Sequence, residues 1–411
     1  MSEYFLHGGD PSILRRLNSA AILRALRDGG ESTLTGLAQQ VDLSRPTTEG
    51  VLGELAGRGL VAEVAARPGT GLGRPARRYR FRAEAGCALG IEIDVHRVRL
   101  LVADLSGQVI GEHHADLDVA GNPTERIAAV RAAVKTCLSR AGVQRRALGA
   151  VAAGTPGVVA LDGTIVFCTV IPGWEGVNLV REFSRSFSCP VLVDNDANLA
   201  ALAERWRGAA REVDDVICVR AGPRTGIGAL IGGRLHRGRY GAAGEISMLP
   251  ELRLRDATTT PGAGMEVGPE AAFAALAGIA AVGPELDDAE RVLAVAGGDG
   301  AEVRAVVERL AARMACGIAA MALALDPEMI VVGGPLIRAG LQPGEDPSRP
   351  PERPVDLLIA ELRRQVRPLC LSPVRIEASE LGDESVSLGA LRLALDRIDE
   401  DLFRLTPPDS G

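Results

Sequence analysis

From Ala88 onward, short runs of Val, Ile and Leu alternate with Ala-rich stretches at helical spacing, and this alternation limits the chain's possible folds more than any other feature. "ALGIEIDVHRVRLLVADL" opens the pattern and a helix follows at about Thr124–Ala141. "ALGAVAAGTPGVV", "PVLVDNDA", "DVICVRAG", "GIGALIGGRL" and "PEMIVVGG" continue it as strand candidates. Strands interleaved with helices imply α/β layers. The two halves open in comparable ways, which points to a duplicated domain with a cleft between.

A chain of 411 residues exceeds one core and suits two or three domains. Its 46% hydrophobic content fits a folded globular protein. No uncharged apolar run is long enough to cross a bilayer, and "MSEYFLHGGDPSILRRLN" lacks a signal peptide's apolar core, so a cytoplasmic protein without membrane contact is expected. Seven Cys, at 87, 137, 168, 189, 218, 316 and 370, form no CxxC or CxC pair, which supports neither a disulfide framework nor a thiolate zinc site.

The formal charge of −7 is unevenly spread. Residues 1–82 hold 12 Arg against 8 Asp and Glu, whereas residues 83–411 hold 34 basic against 45 acidic side chains. A basic head on an acidic body suits nucleic acid at one end only. In the head, "NSAAILRALRDGG" places Ile22, Leu23 and Leu26 at helical spacing before a Gly stop. Leu34, Leu37, Ala38 and Val41 then give a second short apolar face, and Asp42-Leu43-Ser44 makes a turn. Ser44 caps the next helix, Pro46 sits in its first turn, and Val51, Leu52 and Leu55 face inward. This is helix-turn-helix spacing, with Ser44, Arg45, Thr47, Thr48 and Glu49 expected on the face that meets DNA. "AEVAARPGTGLGRPARRYRFR" has the composition of a β-hairpin wing whose Arg67, Arg74, Arg77 and Arg78 neutralise phosphates.

Four segments in order resemble the ROK family of repressors, open reading frames and sugar kinases: "GTPGVVALDGTI", "PVLVDNDANLAALAERWRG", "RTGIGALIGGRLHRGRYGAAGEI" and "LDPEMIVVGG". "NSAAILRAL", "LSRPTTEGVLGEL" and "GRPARRY" resemble the operator-binding module of its repressor branch, the branch of the xylose and N-acetylglucosamine repressors. The resemblance implies an N-terminal winged helix-turn-helix, mainly α with a β wing, followed by a two-lobed α/β domain of actin-like, hexokinase-like (ribonuclease H-like) fold. The expected divisions are 1–82 for the head, 86–200 for the first lobe, 201–395 for the second lobe with the oligomerisation region, and 396–411 for a tail.

The resemblance also implies roles. Asp196 stands where family kinases keep the base for a sugar hydroxyl, and Gly157, Asn195 and Glu245 stand in the ligand site. Thr225, Gly226 and Gly228 correspond to the second phosphate loop, and Gly333 and Gly334 to the adenosine-side loop. Trp174, in "IPGW", either stacks on a sugar ring or fills the core.

The kinase pattern then breaks. Where its first phosphate loop reads Asp-x-Gly-Gly-Thr, Asp94 survives but Val95 and His96 fill the glycine positions and Arg97 replaces Thr, so productive ATP binding is not expected. Ser247 and Met248 replace the Gly-His that follows Glu245 in zinc-bearing members. The next segment has no Cys, so no structural zinc is expected; Glu266 is a candidate survivor of the family's Cys-Leu-Glu. Val170 replaces a sugar-binding Asn. The pocket is therefore expected either to be rebuilt for another ligand or to have lost ligand binding.

The leading expectation is a DNA-binding regulator, a repressor without phosphotransfer, forming a homodimer or homotetramer on palindromic double-stranded operator DNA. Its effector is a sugar, a related derivative or another metabolite. The alternatives are an active sugar kinase with a DNA-binding head and a regulator that needs no ligand. The Pro-rich run at 341–356 reads as a flexible surface loop.

Overall fold

A computed structural model of the chain describes residues 11–64, 77–118, 121–221, 225–248, 300–334 and 354–403. The head contains α1 (Pro11–Gly29), β1 (Ser32–Thr33), α2 (Leu34–Gln40), α3 (Arg45–Gly57), β2 (Val61–Val64) and β3 (Arg78–Phe81). α1 begins seven residues before the expected start at Asn18, and its extra turns leave Leu14 and Leu17 exposed. Ile22, Leu23, Leu26, Leu37, Val51, Leu52 and Leu55 are buried together. Ser44 caps α3 by accepting from the Thr47 amide at 3.3 Å, and Pro46 sits in the first turn, where its missing N–H leaves no partner wanting. β2 and β3 pair antiparallel as the base of the wing, with β1 on the other side of β3. Arg67 and Arg74 lie outside the described residues.

The body holds two sheets with one topology. The first has order β10-β7-β4-β5-β6, from β4 (Cys87–Ile93), β5 (Arg97–Asp104), β6 (Val109–Asp116), β7 (Leu148–Thr155) and β10 (Val191–Asn195). The second has order β13-β12-β11-β14-β15, from β11 (Val216–Arg220), β12 (Gly226–Ile231), β13 (Arg234–Leu235), β14 (Met329–Gly333) and β15 (Arg375–Ala378). Each is an antiparallel meander whose first strand pairs in parallel with a fourth strand, which pairs in parallel with a fifth. That equivalence establishes the duplication. β8 (Val158–Val159) and β9 (Ile165–Phe167) form a small separate ribbon.

Helices α4 (Pro123–Arg140) and α5 (Leu179–Ser184) serve the first lobe, while α7 (Gly300–Leu325) and α8 (Pro354–Val366) pack with the second sheet. α6 (Asp196–Arg207) lies between the two sheets, touching β7 and β10 on one side and β11 and β12 on the other.

The last helix, α9 (Ser385–Phe403), corrects the expected domain division. It packs on β4, β7 and α6, so it belongs to the first lobe, and it runs continuously through residues 396–403 that were expected to be tail. Leu388, Leu391, Ala394, Leu395 and Ile398 explain this, because their spacing gives α9 an apolar stripe that the first sheet buries. Of the Pro-rich run, Pro354–Asp356 open α8 and 341–353 lie outside the described residues. Among the described residues no helix is long and apolar enough to cross a membrane.

Candidate functional site

The first functional surface is the start of α3. Arg45, Thr47 and Glu49 are exposed there, and the Ser44 and Thr47 hydroxyls lie 2.8 Å apart at the cap. A helix N-terminus with an exposed Arg and hydroxyls suits phosphates and base edges. Two expected DNA contacts are corrected. Thr48 is fully buried and turns its hydroxyl back to the Ser44 carbonyl at 3.0 Å, because its position in the first turn faces the head's core. Arg78 donates to the Glu31 carbonyl at 2.9 Å and faces the Glu31 carboxylate, so it braces β3 against the start of β1. Arg77 is exposed, 3.4 Å from Glu63.

The second surface is the cleft beside α6, where β10 hands the chain to the helix. Asn195 is its N-cap: its side-chain oxygen accepts from the Ala197 and Asn198 amides, and its Nδ2 donates to the Gly157 carbonyl at 2.8 Å. The expected hydroxyl-binding role is therefore largely taken up by structure. Buried Asp194 accepts from the Asn195 amide and Asn198 Nδ2, both at 2.8 Å, and from Arg237 Nε at 2.5 Å.

Asp196 begins α6. One carboxylate oxygen accepts from the Ala197 amide at 2.8 Å, and the other accepts from Arg220 Nη1 at 2.9 Å. Arg220 ends β11, and its other terminal nitrogen lies 3.9 Å from Glu92 on β4. Burial works against the Arg220 charge, yet Asp196, Asp94, Glu92 and Asp383 together hold its pKa above the ordinary guanidinium value. Burial raises the Asp196 carboxyl, with Arg220 opposing and Asp94 reinforcing that rise. A base for a hydroxyl proton needs an accepting oxygen aimed at that proton. In Asp196 both oxygens already hold partners, one of them a cation.

Glu92 is buried, and burial pushes its carboxyl up to about 7 against the pull of Arg220. Its Oε2 has no hydrogen-bond partner among the described residues. A carboxyl raised in the folded state contributes stability that is present at acid pH and lost as pH rises between about 4.5 and 7. Glu92→Gln is therefore expected to flatten the pH dependence of denaturant midpoints across that window, by on the order of 2 kcal/mol. An unchanged slope would locate the titration elsewhere.

The turn from β4 to β5 does not form a phosphate cradle. Asp94 accepts from the Val95 amide at 2.7 Å, Val95 packs on the core, and His96 faces solvent. Buried Arg126 donates to the Asp94 and Val95 carbonyls at 3.0 and 2.9 Å, which fixes the turn from behind. Arg97 and Arg99 face Asp383 at 3.5 and 3.3 Å.

The retained glycines have packing roles. A Cβ on Gly228 would stand 2.3 Å from the Ala197 carbonyl oxygen, so Gly228 lets β12 lie directly against the start of α6; Gly226 beside it faces the Ala197 methyl. Thr225 precedes β12, Gly333 ends β14 against Ser379, and Gly334 follows beside the Ala221 carbonyl. Glu245 reaches the cleft with its carboxyl raised by burial and by the nearby Asp196 charge, and its carboxylate makes no hydrogen bond among the described residues. Trp174 is fully buried and donates to the Thr155 hydroxyl at 2.8 Å, so it is a core residue. Val170 packs on the first-lobe core, Met248 is exposed, and Glu266 lies outside the described residues.

Sequence reading missed Arg220, Glu92, Arg126, Arg237 and Asp383. Two of them carried a signal: Glu92 and Arg220 are charges inside otherwise apolar strands, "ALGIEI" and "VICVR". A charge on a buried strand needs a partner across the fold.

A winged helix-turn-helix joined to a duplicated, hexokinase-like body defines the class: a DNA-binding head carried on a kinase-like scaffold. The chain belongs to the ROK family, which it matches over residues 88–397, and residues 17–65 match the IclR helix-turn-helix domain. A xylose repressor from Caldicellulosiruptor bescii is 22% identical over 408 residues, covering 94% of this chain and 97% of that protein. The crystal structure of a ROK family transcriptional regulator, a homolog of the E. coli MLC protein, shares the fold with a TM-score of 0.70 at 18% identity, over 95% of this chain and 98% of that one. A ROK family glucokinase from Streptomyces griseus, solved with glucose and AMPPNP, gives a TM-score of 0.57 at 24% identity, over 76% of this chain and all of that one. At these identities the two structures establish the fold alone.

Proposed function

We propose that this protein is a DNA-binding transcriptional regulator, acting as a repressor, whose cleft senses a sugar or a related hydroxylated metabolite and no longer transfers phosphate. The observation that carries this reading is the exposed first turn of α3 on a head that packs against a ROK body. The name of the xylose repressor relative supports a sugar effector. Loss of phosphotransfer is supported by the Arg220 guanidinium on Asp196 and by the filled first loop. Zinc has no part in this reading, because residues 249–299 contain neither Cys nor His to serve as its ligands. A homodimer or homotetramer would bring two heads to a palindromic operator.

The test is a gel shift with the DNA upstream of the chain's own gene, repeated with a panel of sugars, amino sugars, sugar phosphates and ATP. One compound is expected to release or strengthen the band. Arg45→Ala is expected to weaken binding roughly tenfold or more, and the affinity of the unaltered protein should fall steeply with added salt. Binding indifferent to salt would remove the phosphate contacts from the reading.

Asp196 and Glu245 together also favour a second reading, a working sugar kinase. ADP release with a hexose or N-acetylhexosamine, abolished by Asp196→Asn, would establish it.

A further inference from the structure

α9 runs from the cleft to the head. Asp383, two residues before it, faces Arg97 and Arg99 at 3.5 and 3.3 Å and adds to the charge that holds Arg220 protonated. At the other end, Asp399 receives two hydrogen bonds from Arg27 of α1, at 2.8 and 2.9 Å, with both side chains mostly buried. The Leu402 carbonyl accepts from Arg58, just after α3, at 2.9 Å. Nineteen helical residues separate these ends by roughly 28 Å.

The helix between them is held closely enough to move as one piece. A Cβ on Gly90 of β4 would lie 2.5 Å from the Ser387 carbonyl, and one on Gly389 would lie 1.8 Å from the Leu199 carbonyl of α6. Backbone therefore rests on backbone along α9, and α6, to which it is fastened, begins with Asp196. The apolar residues of the head, from Ile22 to Phe81, continue without a break into Leu395 and Ile398.

We infer that α9 couples the state of the cleft to the placement of the DNA-reading head, with the Asp383 ion pairs as the input and the Arg27–Asp399 clasp as the output. Arg220 belongs to the second lobe, while Glu92 and Asp94 belong to the first and Asp383 precedes α9. A ligand that draws Arg220 away, or parts the lobes, changes the charge around Asp383 and hence the seating of α9. The clasp passes that change to α1 and α3, since Arg27 also lies over the Phe81 ring at 5.1 Å inside the head. Its biological use rests on the regulator reading, but the coupling itself can be measured without DNA or effector.

The experiment is hydrogen–deuterium exchange by mass spectrometry on the full chain, with the cleft perturbed by Arg220→Met and, separately, by Asp383→Asn. Each is expected to speed exchange roughly threefold to fivefold in residues 395–403 and in the half of α1 around Arg27. In an Asp399→Asn background the head should no longer respond to the cleft change. Exchanging the charges, Arg27→Asp with Asp399→Arg, should restore the response. The inference is overturned if exchange changes stay confined to the cleft in both variants, or if the head's response survives Asp399→Asn. If either cleft variant does not fold, the other supplies the perturbation. Failure of every gel shift alongside intact coupling would count against the regulator reading and leave the relay standing.

Discussion

Replacing Arg220 with Met is expected to cost about 3 kcal/mol of stability at pH 8, among the largest losses any single cleft substitution should produce. Met fills much of the same volume, so the effect is chiefly electrostatic. Asp196 loses the cation that balances its charge, and buried Glu92 loses the basic group that opposes its desolvation most strongly, with Arg99 and Arg97 remaining. Both folded-state carboxyl pKa values then climb further above their unfolded values. Carboxyls raised in this way stabilise the fold at acid pH and lose that contribution as pH rises, so the deficit of Arg220→Met should be large at pH 8 and shrink toward pH 5. Urea denaturation at both pH values checks this. Equal deficits would mean that Arg220 acts by packing rather than by charge. Asp196→Asn should cost less, since Glu92, Asp94 and Asp383 still surround Arg220. On the regulator reading, Arg220→Met should also release no ADP, because Val95 and Arg126 still shape the first loop.

Gly389→Val is expected to prevent folding at 37 °C, with a cost above about 4 kcal/mol. The added Cβ would meet the Leu199 carbonyl oxygen at 1.8 Å, and backbone there cannot give way without separating α9 from α6. Soluble yield and thermal midpoint report it. Gly53→Ala makes the matched control: this helical glycine on α3 has open space around its Cβ position, and Ala should be neutral or stabilising by about 0.5–1 kcal/mol. If Gly389→Val folds like the control, the close crossing of α6 and α9 is not what holds the last helix in place. The relay would then lose its rigid member.

Much of the head was legible in the sequence because its signals are local. A cap at Ser44, a proline in the next turn and apolar residues three and four apart need no knowledge of the rest of the chain. Thr48 shows the limit of that reading. Its neighbours face solvent, but one position along a helix turns a side chain by about 100°, enough to carry Thr48 into the core. Arg78 shows another: an Arg in a basic wing serves a phosphate or a neighbouring carbonyl equally well until the fold brings Glu31 beside it.

The structure brings Asp94, Asn195, Asp196, Gly228 and Glu245, singled out in the sequence, around the start of α6, and the Gly-rich segments mark where chain segments approach closely. What the sequence could not give is which groups those residues meet. Asn195 spends its side chain on capping and on Gly157, Gly228 admits the start of α6, and Asp196 is held by a residue 24 positions away.

The sequence by itself determined the two-part plan, the duplicated α/β body and the helix-turn-helix, because periodicity, caps and glycine spacing act over a few residues, while the break in the first phosphate loop was visible only beside the family it resembles. Only the tertiary structure decided that Arg220 occupies the would-be base, that α9 returns to the first lobe, and that Asp399 grips the head through Arg27 across 372 residues of sequence. Ion pairs and backbone-on-backbone contacts between distant segments depend on how the layers stack. Side-chain charge and burial at such places are set by partners that no local pattern names.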